Sequence, residues 1–147
     1  MKIVVGSDHA GDHYKREVAQ HLIGKGHDVE MVGSEGAERY DYPLAADLVA
    51  QRVGRGVSDM GILICGSGIG MSIRANRYPA IRAALCTSED MAQLAREHNH
   101  ANVLCLGERM ISLSLATAIV DRFLESQPDN SERHAHRVTL LGQEITP

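Results

Sequence analysis

Cys65 closes the apolar run Gly61-Ile-Leu-Ile-Cys65 and is followed at once by alternating glycines at positions 66, 68 and 70. A thiol at the end of a buried strand, beside a glycine turn that opens a helix near Met71, stands where backbone N–H groups converge. The partial positive charge that draws an anion to a helix start also favours a thiolate. The same residues also read as a tight strand-to-helix turn around a small buried thiol, and the stretch alone does not choose between these readings. A second chemical cluster, Asp8-His9, follows the first apolar run, Ile3-Val4-Val5. His98-Asn99 lies further on, and Arg133 and Arg137 stand one helical turn apart near the end.

Two phosphate motifs fail on inspection. Gly6-Ser-Asp-His-Ala-Gly11 has Walker-type glycine spacing, but Asp12-His13 replaces the required Lys and Ser/Thr. The dinucleotide fingerprint would need glycine at position 71, where Met71 stands. What remains is a carboxylate, an imidazole, a thiol beside N–H donors, and arginines. That set suits proton abstraction next to a carbonyl on a phosphorylated substrate: a base removes the proton, N–H groups hold the enediolate, and arginines hold the phosphate.

The elements that must position these groups alternate strictly. Strands are predicted at Ile3–Val5, Asp28–Val32, Ile62–Ile64, Ile81–Cys86 and Val103–Leu106. Helices follow each, including one opened by Tyr42-Pro43, one capped by Thr87, and one over Leu113–Leu124 capped by Ser112. His98-Asn99-His100 reads as a loop, 127–131 as a hinge, and Glu132–Ile145 as a last helix. The pattern predicts an α/β, Rossmann-like three-layer αβα sandwich with a five-stranded parallel sheet and a C-terminal helical extension. Ligands then collect at the carboxyl ends of the strands. His98-Asn99 leads into the fifth strand and belongs at the opposite edge, so it joins the site only through another subunit.

A length of 147 residues suits a single domain over 1–147. Without tryptophan and with one phenylalanine, the core must be aliphatic, as buried parallel strands require. A net charge of −4 with scattered basic residues argues against nucleic acid and membrane surfaces. Three widely spaced cysteines give neither a disulfide framework nor a zinc motif, and no run is long enough to span a membrane. A soluble, cytoplasmic protein is expected.

Taken together, Gly6-Ser-Asp-His9, Asp41-Tyr-Pro43, Gly61 through Gly70, Ala75-Asn76, Ile81-Arg-Ala83, His98-Asn99, Asn102-Val-Leu104 and Arg133-His-x-x-Arg137 resemble one family closely, along nearly the whole chain. It is that of the B-type ribose-5-phosphate isomerases, which includes allose-6-phosphate isomerase and the galactose-6-phosphate isomerase subunits. The resemblance implies isomerisation of ribose 5-phosphate and ribulose 5-phosphate by a homodimer or tetramer with sites between subunits, and no metal or cofactor. It implies Cys65 as the base and His98 as the ring-opening group. By the same resemblance Gly66, Ser67, Gly68, Ile69 and Gly70 are expected to form the enediolate hole, Asp8, His9 and Asn99 to contact the sugar, and Arg109, Arg133 and Arg137 to hold the phosphate.

One branch of the family carries a glutamate base where this chain has Met71, which places the chain in the cysteine branch. The galactose-type subunits depart at the His-Asn pair and the C-terminal arginines, both present here. Six-carbon phosphosugar turnover and a non-catalytic phosphosugar-binding role are the competing functions. The segment 127–147 is expected at the dimer interface. Cys86 and Cys105 read as core thiols, His13, His21, His27, His100 and His136 as surface or helix residues, and His134 and Tyr42 are left undecided.

Overall fold

The computed structural model describes residues 1–147. Strands β1 (Lys2–Ser7), β2 (Asp28–Gly33), β3 (Met60–Cys65), β4 (Ala83–Leu85) and β5 (Val103–Gly107) form one sheet in the order β2-β1-β3-β5-β4. Every pairing is parallel. Helices α1 (Asp12–Gly24), α2 (Tyr42–Gly54), α3 (Ile69–Ala75), α4 (Glu89–Asn99), α5 (Leu113–Glu125) and α6 (Glu132–Leu141) complete the α/β fold. No helix is long and apolar enough to cross a membrane.

The period-two alternation of the central strands sorts their side chains into two cores. Ile3, Val5, Ile62, Ile64, Leu104 and Leu106 face α1, α4 and α5, where Leu22, Ile119 and Phe123 meet them. Val4, Leu63, Cys65, Val103 and Cys105 face α2 and α3, against Val49, Met71 and Ala75. Cys65 therefore points to the α2–α3 side. The chain leaves β1 towards β2 on one side, while β3 lies on the other. This reversal opens a crevice at the carboxyl ends of β1 and β3.

Several local expectations change. The fourth strand is only Ala83–Leu85, because the Arg82 N–H goes to the Asn102 side chain and the Ile81 N–H to the Tyr78 carbonyl in a turn. Ser88, not Thr87, caps α4: its hydroxyl accepts the Met91 N–H, while the Thr87 hydroxyl contacts the Met91 sulfur. His98 and Asn99 are the last residues of α4 rather than a loop, and His100 takes the left-handed cap with φ 49°. The segment 127–131 is anchored rather than hinge-like. The Asp129 N–H donates to the Glu97 carbonyl, and the Asp129 carbonyl meets His100 Nε2 at 2.9 Å. Helix α6 stops at Leu141, with Gly142 as its cap, rather than running to Ile145.

Candidate active site

Residues 62–64 are fully buried, which fixes β3 and delivers Cys65 to its carboxyl end, 5% exposed. The chain then turns through Gly68, whose φ of +77° is the left-handed region open to glycine. A Cβ there would also stand 2.6 Å from Leu85 Cδ1 and 2.9 Å from the Leu106 carbonyl carbon. The turn aims the Gly68 N–H at Cys65 Sγ, 3.1 Å away. The N–H groups of Gly66, Ser67, Gly70 and Met71 donate to no other group of the chain. These are the orphan donors of a turn running into a helix start.

Two further loops close on this one. Asp8 is buried, and its Oδ1 accepts the Gly11 N–H at 3.0 Å, capping a single 3₁₀ turn over His9–Gly11. The Tyr40 N–H lies 3.1 Å from His9 Nδ1. The Tyr40 carbonyl lies 3.3 Å from the same nitrogen, so the Tyr40 backbone fixes the ring through Nδ1. After β5, the Glu108 N–H donates to the Cys65 carbonyl at 2.9 Å and the Arg109 N–H to the Gly66 carbonyl at 3.1 Å. The Arg109 guanidinium thus lies over Gly66, where a Cβ would be 3.1 Å from Nη1. Glu108 Oε2 also accepts the Tyr14 N–H at the start of α1, at 3.0 Å. Glu108, read from the sequence only as part of a turn, joins its own turn to the end of β3 and to the first turn of α1.

The result is a cavity of about 590 Å³ lined by Asp8, His9, Cys65, Gly66, Ser67, Ile69, Gly70 and Arg109, with Ala10, Tyr42, Ile73 and Met110. Gly68 lies buried beneath it. Tyr42 packs so closely on Gly70 that a Cβ at position 70 would be 2.5 Å from its ring. The aromatic left undecided by the sequence is a wall of this cavity.

His98, Asn99, Arg133 and Arg137 do not line it. In the β3–β5 register Gly61 pairs with Val103 and Cys65 with Gly107. Four residues of strand at ~3.3 Å each therefore separate the Cys65 edge from the edge where α4 ends. At that far edge Asn99 lines a different cavity, with Asn76 and Arg82. His98 stacks face to face on His134, ring centroids 4.2 Å apart and planes 10° apart. Arg133 Nη2 reaches His134 Nε2 at 3.5 Å, and Arg137 follows one turn along α6. One chain thus carries two half-sets of polar groups at opposite edges of its sheet.

The other cysteines are unsuited to chemistry. Burial pushes the Cys86 thiol up to about 11, and the fully buried Cys105 is raised further by burial and by its two neighbouring thiols. No grouping of three or more His, Cys, Asp or Glu side chains could hold a metal ion.

Comparison with known proteins identifies the family to which the sequence and fold belong. The profile of a family described as Ribose/Galactose Isomerase matches residues 3–141. The ribose-5-phosphate isomerase B of Escherichia coli strain K12 is 46% identical over 140 residues, covering 95% of this chain and 93% of that protein. A solved ribose-5-phosphate isomerase B from Clostridium thermocellum superposes with a TM-score of 0.95 at 49% identity, over 97% of this chain and 95% of the other. That of Thermotoga maritima gives a TM-score of 0.93 at 48% identity, over 96% and 97%. The chain is an isomerase and belongs to the ribose/galactose isomerase family.

Proposed function

We propose that this protein interconverts ribose 5-phosphate and ribulose 5-phosphate through an enediolate, with Cys65 as the base. The observation that carries the reading is the placement of the Cys65 sulfur. It faces a cavity shared with Asp8, His9 and Arg109, and a cluster of unpartnered N–H groups follows it directly. In the forward direction His98 opens the sugar ring by moving the proton of the anomeric hydroxyl towards the ring oxygen. The Cys65 thiolate then takes the proton from C2. The charge that develops on O1 is held by the N–H groups of the Gly66 to Gly70 turn. Return of the proton to C1, and transfer of a proton from O2 to O1, complete the ketose. Proton transfers alone balance the reaction, so the chemistry calls for no metal or organic cofactor. Asp8, His9 and Asn99 contact the sugar, and Arg109, Arg133 and Arg137 hold the phosphate.

The two half-sets meet when two copies of the chain pair, each offering its His98 edge to the other's Cys65 cavity. The exposed apolar residues Tyr42, Ile69, Ile73 and Met110 around that cavity suit burial by a second subunit. In this reading the whole chain acts as one domain, with 127–147 at the interface of a homodimer or larger assembly. Three buried free thiols suit a reducing, cytoplasmic setting.

The test is solvent deuterium incorporation at C2 of ribose 5-phosphate, with allose 6-phosphate as the six-carbon alternative. The wild type is expected to exchange and isomerise the pentose, and Cys65→Ala to lose about 10²–10⁴-fold in both. Equal exchange by the two proteins would remove Cys65 as the base, and preference for the hexose would move the substrate to the six-carbon class.

A further inference from the structure

The stacked pair at the far edge assigns work to a residue the mechanism above leaves idle. We propose that His134 is a positioning residue for His98: its flat ring, stacked on the imidazole, fixes the plane in which His98 works. The proposal rests on His98 as the ring-opening group.

The geometry is built rather than incidental. His134 is 4% exposed and lies parallel under His98 at 4.2 Å between ring centroids. The segment joining α5 to α6 is fastened to the last turns of α4 by the Asp129 N–H on the Glu97 carbonyl, by His100 Nε2 on the Asp129 carbonyl, and by Arg96 Nε on the Ser126 carbonyl. These bonds place α6 so that its third residue slides beneath His98.

The groups facing His134 come from all three adjoining segments. Asp129 Oδ2 lies 3.5 Å from His134 Nε2 and favours its protonation. His98 on α4, and Arg133 and Arg137 on α6, oppose it. Burial is the largest influence and acts with them, so the His134 ring is held below the ordinary histidine range. Arg133 Nη2, a donor only, meets Nε2 at 3.5 Å and favours a lone pair there. Two stacked imidazolium rings would repel, which adds to the burial that disfavours a charge on His134. A general acid–base group must be in reach and in one orientation, and a parallel ring supplies the orientation that a half-buried helix-end histidine otherwise lacks.

The experiment compares His134→Phe, which keeps a flat neutral ring, with His134→Leu, which fills space without one. Two reactions are followed: isomerisation of ribose 5-phosphate, which starts from a closed ring, and solvent exchange at C1 of ribulose 5-phosphate. The phosphate of the ketose occupies the hydroxyl that would close a five-membered ring, so the second reaction needs no ring opening. Isomerisation is expected to stay within about threefold of wild type in the Phe variant and to fall about tenfold or more in the Leu variant. Exchange should be preserved in both because it bypasses ring opening, and the tenfold loss in isomerisation is the orientation-dependent part of a ~10²–10⁴-fold acid–base contribution. Parallel losses in both reactions, or no loss in either variant, would overturn the proposal.

Imidazole NMR titration of the wild type and of His98→Ala gives an answer that does not depend on the His134 variants folding. A His134 step below the ordinary histidine range that moves up in His98→Ala supports the pairing; a His134 step at the ordinary value that His98→Ala leaves unmoved contradicts it. His98→Ala tests the underlying reading separately. If His98→Ala spares isomerisation, the ring-opening role fails; if it abolishes isomerisation while both His134 variants are silent, only the present proposal fails.

Discussion

The Gly68 N–H points at the Cys65 sulfur from 3.1 Å, across a turn whose left-handed backbone brings the donor back onto the strand end. That sulfur also faces the cavity lined by Asp8, His9 and Arg109. The contact gives this cysteine a surrounding that the other two lack.

Alkylation should therefore be selective. At pH 7.5 iodoacetamide is expected to modify Cys65 at least about tenfold faster than Cys86 or Cys105, because the thiolate is the nucleophile. Cys86, pushed up to about 11 by burial, stays a thiol far above neutrality, and Cys105 more so. Peptide mass mapping over time checks the order, and bound phosphosugar should slow the Cys65 reaction.

Gly68→Ala forces a side chain into the left-handed region and against Leu85 and Leu106. A loss of about 2 kcal/mol in denaturant unfolding is expected, with turnover reduced more than the remaining folded fraction explains. Gly24→Ala, at a helix end with open space around it, is the control expected to leave both near wild type.

Glu108 ties the end of β3 to the first turn of α1 through its backbone N–H and its carboxylate. Glu108→Ala removes the acceptor of the Tyr14 N–H, with an expected cost of about 1–2 kcal/mol and a raised KM as Arg109 loses its footing. Glu108→Gln keeps an acceptor and should recover most of both. Steady-state kinetics beside urea midpoints separate the two effects.

The hydrogen bond from Arg74 is the largest influence holding Asp47 below the ordinary carboxylate range, and Tyr78 adds to it. A depressed folded value contributes stability that is present above the unfolded value and is lost as pH falls through the folded one. Arg74→Gln should therefore lower the urea midpoint at pH 7, and the gap to wild type should close as the pH falls below about 4. Because this network ties α3 to α2, the Cys65 turn should loosen with it.

Much of this arrangement was legible in local sequence. The aliphatic run into Cys65 and the glycines after it specify strand, turn and helix start without help from the rest of the chain. The misplacement of His98-Asn99 relative to Cys65 follows from strand order alone. What escaped depends on tertiary partners. Ile81 and Arg82 look like strand residues, but Asn102 takes the backbone donor that would have extended the ladder. Residues 127–131 look like a hinge until Glu97 and His100 grip Asp129. His134 is one of eight histidines and gains significance only when α6 lies under α4. Tyr42 becomes a cavity wall only because Gly70 lets its ring approach.

The claim that a working site needs two chains is tested most directly by subunit complementation. Cys65→Ala and His98→Ala proteins, each inactive alone, are unfolded together and reassembled in equal amounts. With shared sites in a two-fold dimer, half of the dimers are mixed and each mixed dimer holds one intact site, so about a quarter of wild-type activity should return. A mixture that stays as inactive as its parents, with mixed dimers shown to form, would contradict the account.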